Sequence, residues 1–332
     1  MVYIYKKLIG NRPYYYLRAS ERKGKRVLVK DIAYLGSSVD EVRKSLQSLP
    51  KYRDKIRKAY NTIQNVIESN HYLEKVSGMK FKHDEFLGDK TKEVEACKLH
   101  YTTAFNKCDE ITKKEILKNF VVEFAFNTAS IEGNTITLKQ ARNLLEEGLT
   151  PKNKTLREIY DLQNTEKVFF SLLNIKQDLS HELIISIHKR LMENIDPRIG
   201  YRTADVRVFM ANFKSTPAPY VKTDMDLLLK LYSENKAKLH PLVLAAIFHH
   251  KFEKIHPFMD GNGRTGRMLL NYILLKCNYP PLIIHRRIRP IYLEALRAAD
   301  ESELTQYNKK HYERLINLVS DEATQYYWSM FL

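Results

Sequence analysis

The residues best suited to catalysis are a histidine, an aspartate and two arginines within one short stretch. This stretch occupies residues 256–267 and reads His-Pro-Phe-Met-Asp-Gly-Asn-Gly-Arg-Thr-Gly-Arg. His256 is the one group nearby whose ordinary pKa suits a general base near neutral pH. Arg264 and Arg267 are three residues apart, so both can face one anion, and arginine binds phosphate bidentately. Asp260 would repel that phosphate unless Mg²⁺ lies between them.

Glycines around the aspartate predict how a phosphate would be held. Gly261 and Gly263 allow backbone conformations that other residues avoid. The apolar residues 268–277 predict a buried helix directly afterwards. The segment 261–266 therefore predicts free backbone N–H groups at a helix N-terminus, with Asn262 as a further amide donor. Together these residues indicate metal-assisted transfer from a nucleoside triphosphate to a hydroxyl.

The stretch from His256 to Arg267 fills every position of the signature HPFx(D/E)GNGRxxR, so the chain resembles Fic domains over about residues 105–315. The resemblance implies an all-helical core and transfer of AMP from ATP to Ser, Thr or Tyr hydroxyls of proteins, with Mg²⁺ as cofactor. It implies that His256 is the catalytic base and that Asp260 holds the metal. The ATP contacts that it implies are Gly261, Asn262, Gly263, Arg264, Thr265, Gly266, Arg267, Tyr292 and Asp300.

A second motif predicts that this site is regulated. Residues 111–131 predict a helix, and Gly133 is typical of the position after a helix end. Glu132 would then lie at the negative end of the helix dipole, where a carboxylate needs a partner. Residues 128–133 are similar to the inhibitory motif (S/T)xxxE(G/N) of many Fic proteins. That resemblance implies that Glu132 pairs with Arg267 and blocks the ATP γ-phosphate.

A target-binding flap is the third implied feature. Residues 206–213 look strand-like, and Fic domains carry a β-hairpin here that pairs with the backbone of the target segment. The resemblance assigns target binding to Val208, Phe209 and Met210. A simple connecting hairpin is the alternative interpretation.

The remaining pattern predicts a mainly α-helical protein preceded by a small antiparallel sheet. Residues 2–8, 14–19 and 26–35 are β-prone and separated by turn residues. A charged helical arm with a break at Pro50 follows, and either a dimer contact or packing on its own chain would explain it. The predicted divisions are 1–38 (basic β region), 39–92 (arm and linker), 93–320 (Fic domain, with the inhibitory helix at 111–132) and 321–332 (tail).

Composition limits the partners and the location. The net charge is +16, and residues 1–60 contain sixteen Lys or Arg against five Asp or Glu. This basic region with interleaved tyrosines predicts either a nucleic-acid or acidic partner, or a solvated lysine-rich surface. The sequence contains no apolar run long enough for a membrane span and no signal peptide, and its three cysteines lack metal-site spacing, so we predict a cytoplasmic protein.

Three functions follow from these observations. The first is a protein adenylyltransferase that modifies a partner or itself and is autoinhibited by Glu132. The second is AMP removal, or transfer of another nucleotide, at the same site. The third is a nucleic-acid-binding regulator that uses the basic N-terminal region. A homodimer is compatible with each of them.

Overall fold

The fold is mainly α-helical with a small antiparallel sheet at its N-terminus, as predicted. A computed structural model of the chain describes residues 2–10, 12–24, 26–81, 84–206 and 215–332. Most of the predicted flap, including Val208, Phe209 and Met210, therefore lies outside the described residues.

The N-terminal sheet has the strand order β1-β2-β3, with both neighbouring pairs antiparallel. Alternate residues of β1 and β2, such as Ile4 and Leu17, are buried on one face. This alternation is the period of a sheet that packs on one side only. The strands are β1 (Val2–Ile9), β2 (Arg12–Lys23) and β3 (Arg26–Gly36).

The helical arm packs against the buried face of this sheet. The Ser38 hydroxyl caps its first helix by accepting a hydrogen bond from the N–H of Glu41 at 3.3 Å. Pro50 begins a short 3₁₀ turn that separates the helices. Ile63 and Ile67 share one hydrophobic cluster with the sheet, so the arm packs on its own chain. Its helices are α1 (Val39–Gln47), α2 (Arg53–Lys58) and α3 (Tyr60–Ser77).

The predicted linker at 77–92 is partly ordered into the main core. Phe86 and Leu87 are buried there, and the Asp84 carboxylate accepts hydrogen bonds from both of their N–H groups. The next helix begins at Lys90, three residues earlier than the sequence predicted.

The helical core surrounds two long adjacent helices, α10 and α11. Leu242 to Phe252 of α10 are all buried, because neighbouring helices cover α10 on every side. The helices of the core are α4 (Lys90–Thr103), α5 (Glu110–Ile131), α6 (Leu138–Glu147), α7 (Leu156–Leu172), α8 (His181–Leu191), α9 (Val221–Asn235), α10 (Pro241–Ile255), α11 (Asn262–Lys276), α12 (Arg289–Ala299), α13 (Lys309–Gln325) and α14 (Tyr327–Met330).

The C-terminal segment is a long helix followed by an aromatic tail. The helix α13 begins after Asn308, whose side chain accepts a hydrogen bond from the N–H of His311. The aromatic tail then packs on its own core, where Tyr327 and Phe331 are both 3% exposed. Among the described residues, no helix combines the length and the apolar character that crossing a membrane requires.

Candidate active site

The loop between α10 and α11 carries the signature residues and is held by its own side chains. His256 ends α10 in the left-handed conformation, at φ 54°, and its N–H still donates to the Phe252 carbonyl. The Asn262 side chain accepts from the Phe258 N–H and donates to the Phe258 carbonyl, both at 2.8 Å. Both ends of the Asn262 amide thus brace the loop, and its contact with a phosphate stays a prediction.

His256 is oriented for proton abstraction through one ring nitrogen. Its Nδ1 lies 3.3 Å from the Glu253 carbonyl, which can only accept, so Nδ1 carries the proton and Nε2 is left as the basic atom. Arg202 fixes the backbone of the histidine by donating from Nε to the His256 carbonyl at 2.8 Å. Burial lowers the pKa of His256 below its ordinary value, although the Glu253 carbonyl and the charge of Glu132 favour the protonated ring.

The predicted phosphate-binding residues lie at the N-terminus of α11. The helix begins at Asn262, after Gly261 at φ +77°, so the first-turn N–H groups lack intrahelical partners. Thr265, however, already donates its N–H and its hydroxyl to the Gly261 carbonyl. Gly266 serves packing instead, because an added Cβ there would overlap Glu253 of α10. Thr265 and Gly266 thus lie inside the helix, and their contacts with phosphate stay predictions.

The two signature arginines are buried and paired. Arg264 forms an ion pair with Asp161 of α7, and its Nη2 lies 3.8 Å from Asp260. Arg267 donates from Nε to the Thr128 hydroxyl at 2.6 Å and from Nη2 to the Thr128 carbonyl at 3.0 Å. Both guanidiniums are 3% exposed, so each needs these counter-charges and acceptors to be stable in the interior.

Glu132 lies at the C-terminal end of α5 and contacts the anion site directly. Its Oε1 accepts a hydrogen bond from Arg267 Nη2 at 2.7 Å, so the predicted pair is present. A Cβ added to Gly263 would overlap that same oxygen, so the carboxylate lies against the first turn of α11. Desolvation alone would raise the pKa of Glu132, but the charge of Arg267 and its hydrogen bond outweigh it, and the pKa is lowered.

Asp260 is held at the edge of the same site. Its carboxylate forms an ion pair with Arg157 of α7 and accepts a hydrogen bond from the Gly261 N–H at 2.6 Å. Desolvation would raise the pKa of Asp260, but the hydrogen bond from Arg157 and the charge of Arg264 outweigh it, so this pKa is lowered. The group is therefore ionised at neutral pH.

The residues around Asp260 fit a cation that takes most of its ligands from elsewhere. Among the described residues, no cluster of three or more His, Cys, Asp or Glu side chains could hold a metal alone. Mg²⁺ commonly uses one or two carboxylates and completes its shell with water and substrate phosphates. A single ionised and partly exposed carboxylate next to an anion site matches that requirement.

The two predicted nucleotide contacts have other partners in this structure. Tyr292 is buried, and its hydroxyl lies 2.6 Å from Nε2 of His249. The Asp300 carboxylate lies 3.1 Å from Nε2 of His250. Their contacts with adenine and ribose therefore stay predictions.

A buried acid, Glu253, lies behind the arginine. Burial raises its pKa to about 8, although the charge of Arg267 acts in the opposite direction. The protonated Glu253 therefore does not compete with Glu132 as the counter-ion of Arg267 at neutral pH.

Sequence reasoning missed several residues that support the site. His188, which the sequence analysis did not assign to the site, stacks on Phe258 with ring centres 3.6 Å apart, and its Nε2 lies 2.9 Å from the Asp260 carbonyl oxygen. Arg157 and Arg202 gave no signal in the sequence. Asp161 gave a weak one, because a charged residue there interrupts the apolar face of an amphipathic helix.

The fold and the site together define a class of protein, a helical domain that presents a histidine base beside an anion site at a helix N-terminus. Comparison with known families agrees with this description. The Fic/DOC family matches residues 178–274, which include the whole signature. The chain thus resembles the Fic/DOC family over the region that carries the signature.

Curated relatives resemble this chain over part of their length. The protein adenylyltransferase fic-1 of Caenorhabditis elegans is 33% identical over 202 residues, which cover 58% of this chain and 40% of that protein. The protein adenylyltransferase Fic of Aedes aegypti is 28% identical over 265 residues, 74% of this chain and 52% of that protein. The chain thus spans about half or less of these relatives.

Solved structures share the fold. A Fic-domain-containing signalling protein from Bacteroides thetaiotaomicron superposes with a TM-score of 0.66 at 24% identity, covering 72% of this chain and 95% of that one. Fic-1 from Caenorhabditis elegans has a TM-score of 0.59 at 22% identity and covers 88% of this chain and 81% of that one.

Proposed function

We propose that the protein is an adenylyltransferase that moves AMP from ATP to a hydroxyl group of a target protein or of itself. One observation carries the proposal: the neutral base His256 adjoins a helix N-terminus whose anion site is occupied by the Glu132 carboxylate. Because a carboxylate is stable in that position, a phosphate of ATP can bind there too. The relatives that resemble the chain are named protein adenylyltransferases.

The chemistry requires one proton transfer and one displacement. Nε2 of His256 takes the proton of the target hydroxyl. The target oxygen forms a bond to the α-phosphorus of ATP while the bond from that phosphorus to the bridging oxygen breaks, and pyrophosphate leaves. The first-turn N–H groups of α11 and the two arginines stabilise the charge on the phosphoryl oxygens. Asp260 would hold Mg²⁺, which supplies further charge neutralisation when bound.

Inhibition follows from competition for one guanidinium. Arg267 cannot bind a phosphate with the Nη2 atom that donates to Glu132. The Glu132 carboxylate also repels any phosphate brought to Gly263. Withdrawal of Glu132 would free both the charge and the space.

The test is transfer of label from ATP labelled at the α-phosphate, with Mg²⁺ present. The proteins compared are the native chain, Glu132→Gly, and Glu132→Gly combined with His256→Ala. We expect weak labelling of the native chain and no labelling of the double variant. Labelling of Glu132→Gly should be at least about tenfold stronger than that of the native chain, which corresponds to a competing contact of about 1.4 kcal/mol.

Other outcomes assign other functions. Equal labelling of the native chain and Glu132→Gly would reject inhibition by Glu132. Labelling only from another triphosphate would assign a different donor. Release of AMP from a modified protein, without any labelling, would assign the reverse reaction. A cytoplasmic location stays a prediction, which the three unpaired cysteines support.

A further inference from the structure

The outer face of the N-terminal sheet, opposite the helical arm, is both aromatic and basic. The strand register places the residues of this face on the same side of the sheet, because Tyr3 pairs across the strands with Arg18 and Lys7 pairs with Tyr14. The inner face is buried against the arm, whereas Tyr34 on the outer face is 53% exposed. The members of the outer face are Tyr3, Tyr5, Lys7, Tyr14, Tyr16, Arg18 and Tyr34.

A two-stranded ribbon extends from this sheet. The pairing of β1 with β2 ends at Val2 and Ala19, whereas β2 and β3 continue to pair as far as Lys23 and Arg26. The ribbon therefore comprises residues 20–23 and 26–29, and the described residues between 21 and 30 are all exposed. Four residues per strand project about 13 Å beyond the end of β1.

The described residues of the ribbon carry a net positive charge, with Glu21 as the one acidic side chain among them. Lys23 and Arg26 form its last cross-strand pair, and Lys30 lies at its base. Within the described ranges, no ion pair involves any of these three residues. Arg22 makes only a 3.3 Å contact from Nε to the Gly24 carbonyl among the described atoms, which leaves its charge unpaired. Asp31, by contrast, is paired with Arg18.

We propose that this ribbon binds duplex DNA in the major groove, independently of the function proposed above. The B-DNA major groove is about 12 Å wide and about 8.5 Å deep and admits a two-stranded β-ribbon. A ribbon projecting about 13 Å is long enough to reach the groove floor. Arg22, Lys23, Arg26 and Lys30 would then contact the phosphates on both sides.

The tyrosines argue against single-stranded nucleic acid as the occupant. Stacking needs an open ring face. The Arg18 guanidinium lies 3.3 Å from the centre of the Tyr5 ring and covers it. The rings of Tyr14 and Tyr16 pack on Tyr34 at 6.3 and 5.4 Å, tilted by 36° and 54°. These rings contact each other instead of presenting parallel platforms.

A second copy of the chain is also a poorer occupant. The free edge of β3 exposes apolar residues, among them Leu28 at 51% exposure. Antiparallel pairing of two copies about Leu28 would set Arg26 directly opposite Lys30 of the other copy. Like charges opposite each other destabilise a strand pair, and charged residues at an edge commonly prevent such pairing.

The test measures binding of the full chain to a fluorescent DNA duplex by anisotropy at several salt concentrations. The variant changes Arg22, Lys23, Arg26 and Lys30 to Ala together. The control changes four exposed lysines far from the sheet in sequence, Lys107, Lys152, Lys238 and Lys310, to Ala. Each phosphate contact contributes about 0.9 to the magnitude of the slope of log K against log salt concentration. We therefore expect this slope to be smaller in magnitude by about 3 to 4 for the ribbon variant than for the native chain. The control variant should have the same slope as the native chain.

Several results would overturn the proposal. One is an unchanged slope in the ribbon variant, and another is an equal loss in the control, which would indicate net charge alone. Tighter binding of single-stranded DNA or of duplex RNA would assign a different ligand. A native chain that is dimeric while the ribbon variant is monomeric would make the surface an interface between copies. Circular dichroism of each variant verifies that the sheet is retained.

Discussion

The charged side chains of the site are each held by a counter-charge from elsewhere in the chain. Arg264 is paired with Asp161, Arg267 with Glu132, and Asp260 with Arg157. Such pairing lets the site stay folded without a ligand, because an unpaired buried charge would cost several kcal/mol. An anionic ligand that binds to Arg264 or Arg267 must therefore replace the carboxylate that now pairs with that arginine.

The first prediction at this scale is the pH dependence of transfer. Only neutral His256 can accept a proton, and burial lowers its pKa below the ordinary 6.5. In Glu132→Gly, the rate kcat/KM should rise about tenfold per pH unit below that pKa and become flat above it, with a midpoint under 6.5. Removal of Glu132 takes away a charge that raises this pKa, so the midpoint should not move upward. A midpoint above 6.5 would contradict the assignment of His256.

The second prediction concerns Arg157, which forms an ion pair with Asp260, the carboxylate that would hold the metal. The two side chains are 55% and 33% exposed, so the pair contributes only about 0–1 kcal/mol. Arg157→Ala should therefore tighten Mn²⁺ binding by up to about fivefold, measured by electron paramagnetic resonance with a non-hydrolysable ATP analogue. Arg142→Ala, an exposed arginine on α6, is the control and should leave Mn²⁺ affinity unchanged. Identical affinities in native protein and Arg157→Ala would show that the pair does not compete with the metal.

At the scale of elements, the position of Glu132 depends on how the loop between α5 and α6 is tied to α7. The connecting loop follows Gly133, at φ +101°, and is tied to α7 by the Glu158 carboxylate. That carboxylate accepts from the N–H of Thr135 at 3.0 Å and from the Thr135 hydroxyl at 2.6 Å, while capping α7 through Thr155. Hydrogen bonds from these groups lower the pKa of Glu158 to about 2, so they persist throughout the neutral range.

The third prediction follows from this tie. Glu158→Ala should loosen the loop behind Glu132 and raise basal labelling of the native chain a few-fold, since lost hydrogen bonds of about 1 kcal/mol each would favour release of the carboxylate. Gln140→Ala is the matched control, because Gln140 forms the same kind of capping box on α6 without contacting Thr135 in the described structure. In the Glu132→Gly background, Glu158→Ala should have no further effect. A further rise there would mean that Glu158 acts on the site by another route.

At the scale of the whole molecule, the described residues form a large helical core, a small core under the sheet, and two further small clusters, one among α5, α6 and α7 and one between α3 and α4. The aromatic tail packs on its own chain, since the rings of Phe331 and Phe105 have centres 5.1 Å apart and the Tyr327 hydroxyl lies 2.7 Å from Nδ1 of His100. The predicted domain limits and the homodimer stay predictions, and α13 runs across the limit at residue 320.

The fourth prediction tests that packing. Phe331→Ala should lower the free energy of unfolding by about 3–5 kcal/mol, the cost of truncating a buried phenylalanine. Leu332→Ala is the control. Leu332 is next to Phe331 in the sequence but is 47% exposed, so its truncation should change the free energy of unfolding little. Urea denaturation followed by circular dichroism measures both. A loss below about 1 kcal/mol for Phe331→Ala would mean that the tail adds little to the core.

Sequence alone determined the chemistry of the signature and most of the helices. The order of His256, Asp260 and the glycines is local, so its meaning does not depend on distant residues. The small antiparallel sheet and the break at Pro50 were predicted correctly, because turn residues and prolines act on the residues beside them.

Tertiary structure alone decided which charges meet. Arg157 and Asp161 lie about a hundred residues before their partners, and no periodicity links positions so far apart. Packing also decided that Thr265 and Gly266 lie inside α11, because close contact with Glu253 of α10 favours a continuous helix over an open loop. The ribbon beyond β1 likewise depends on strand register, which is a property of paired strands and not of any one of them.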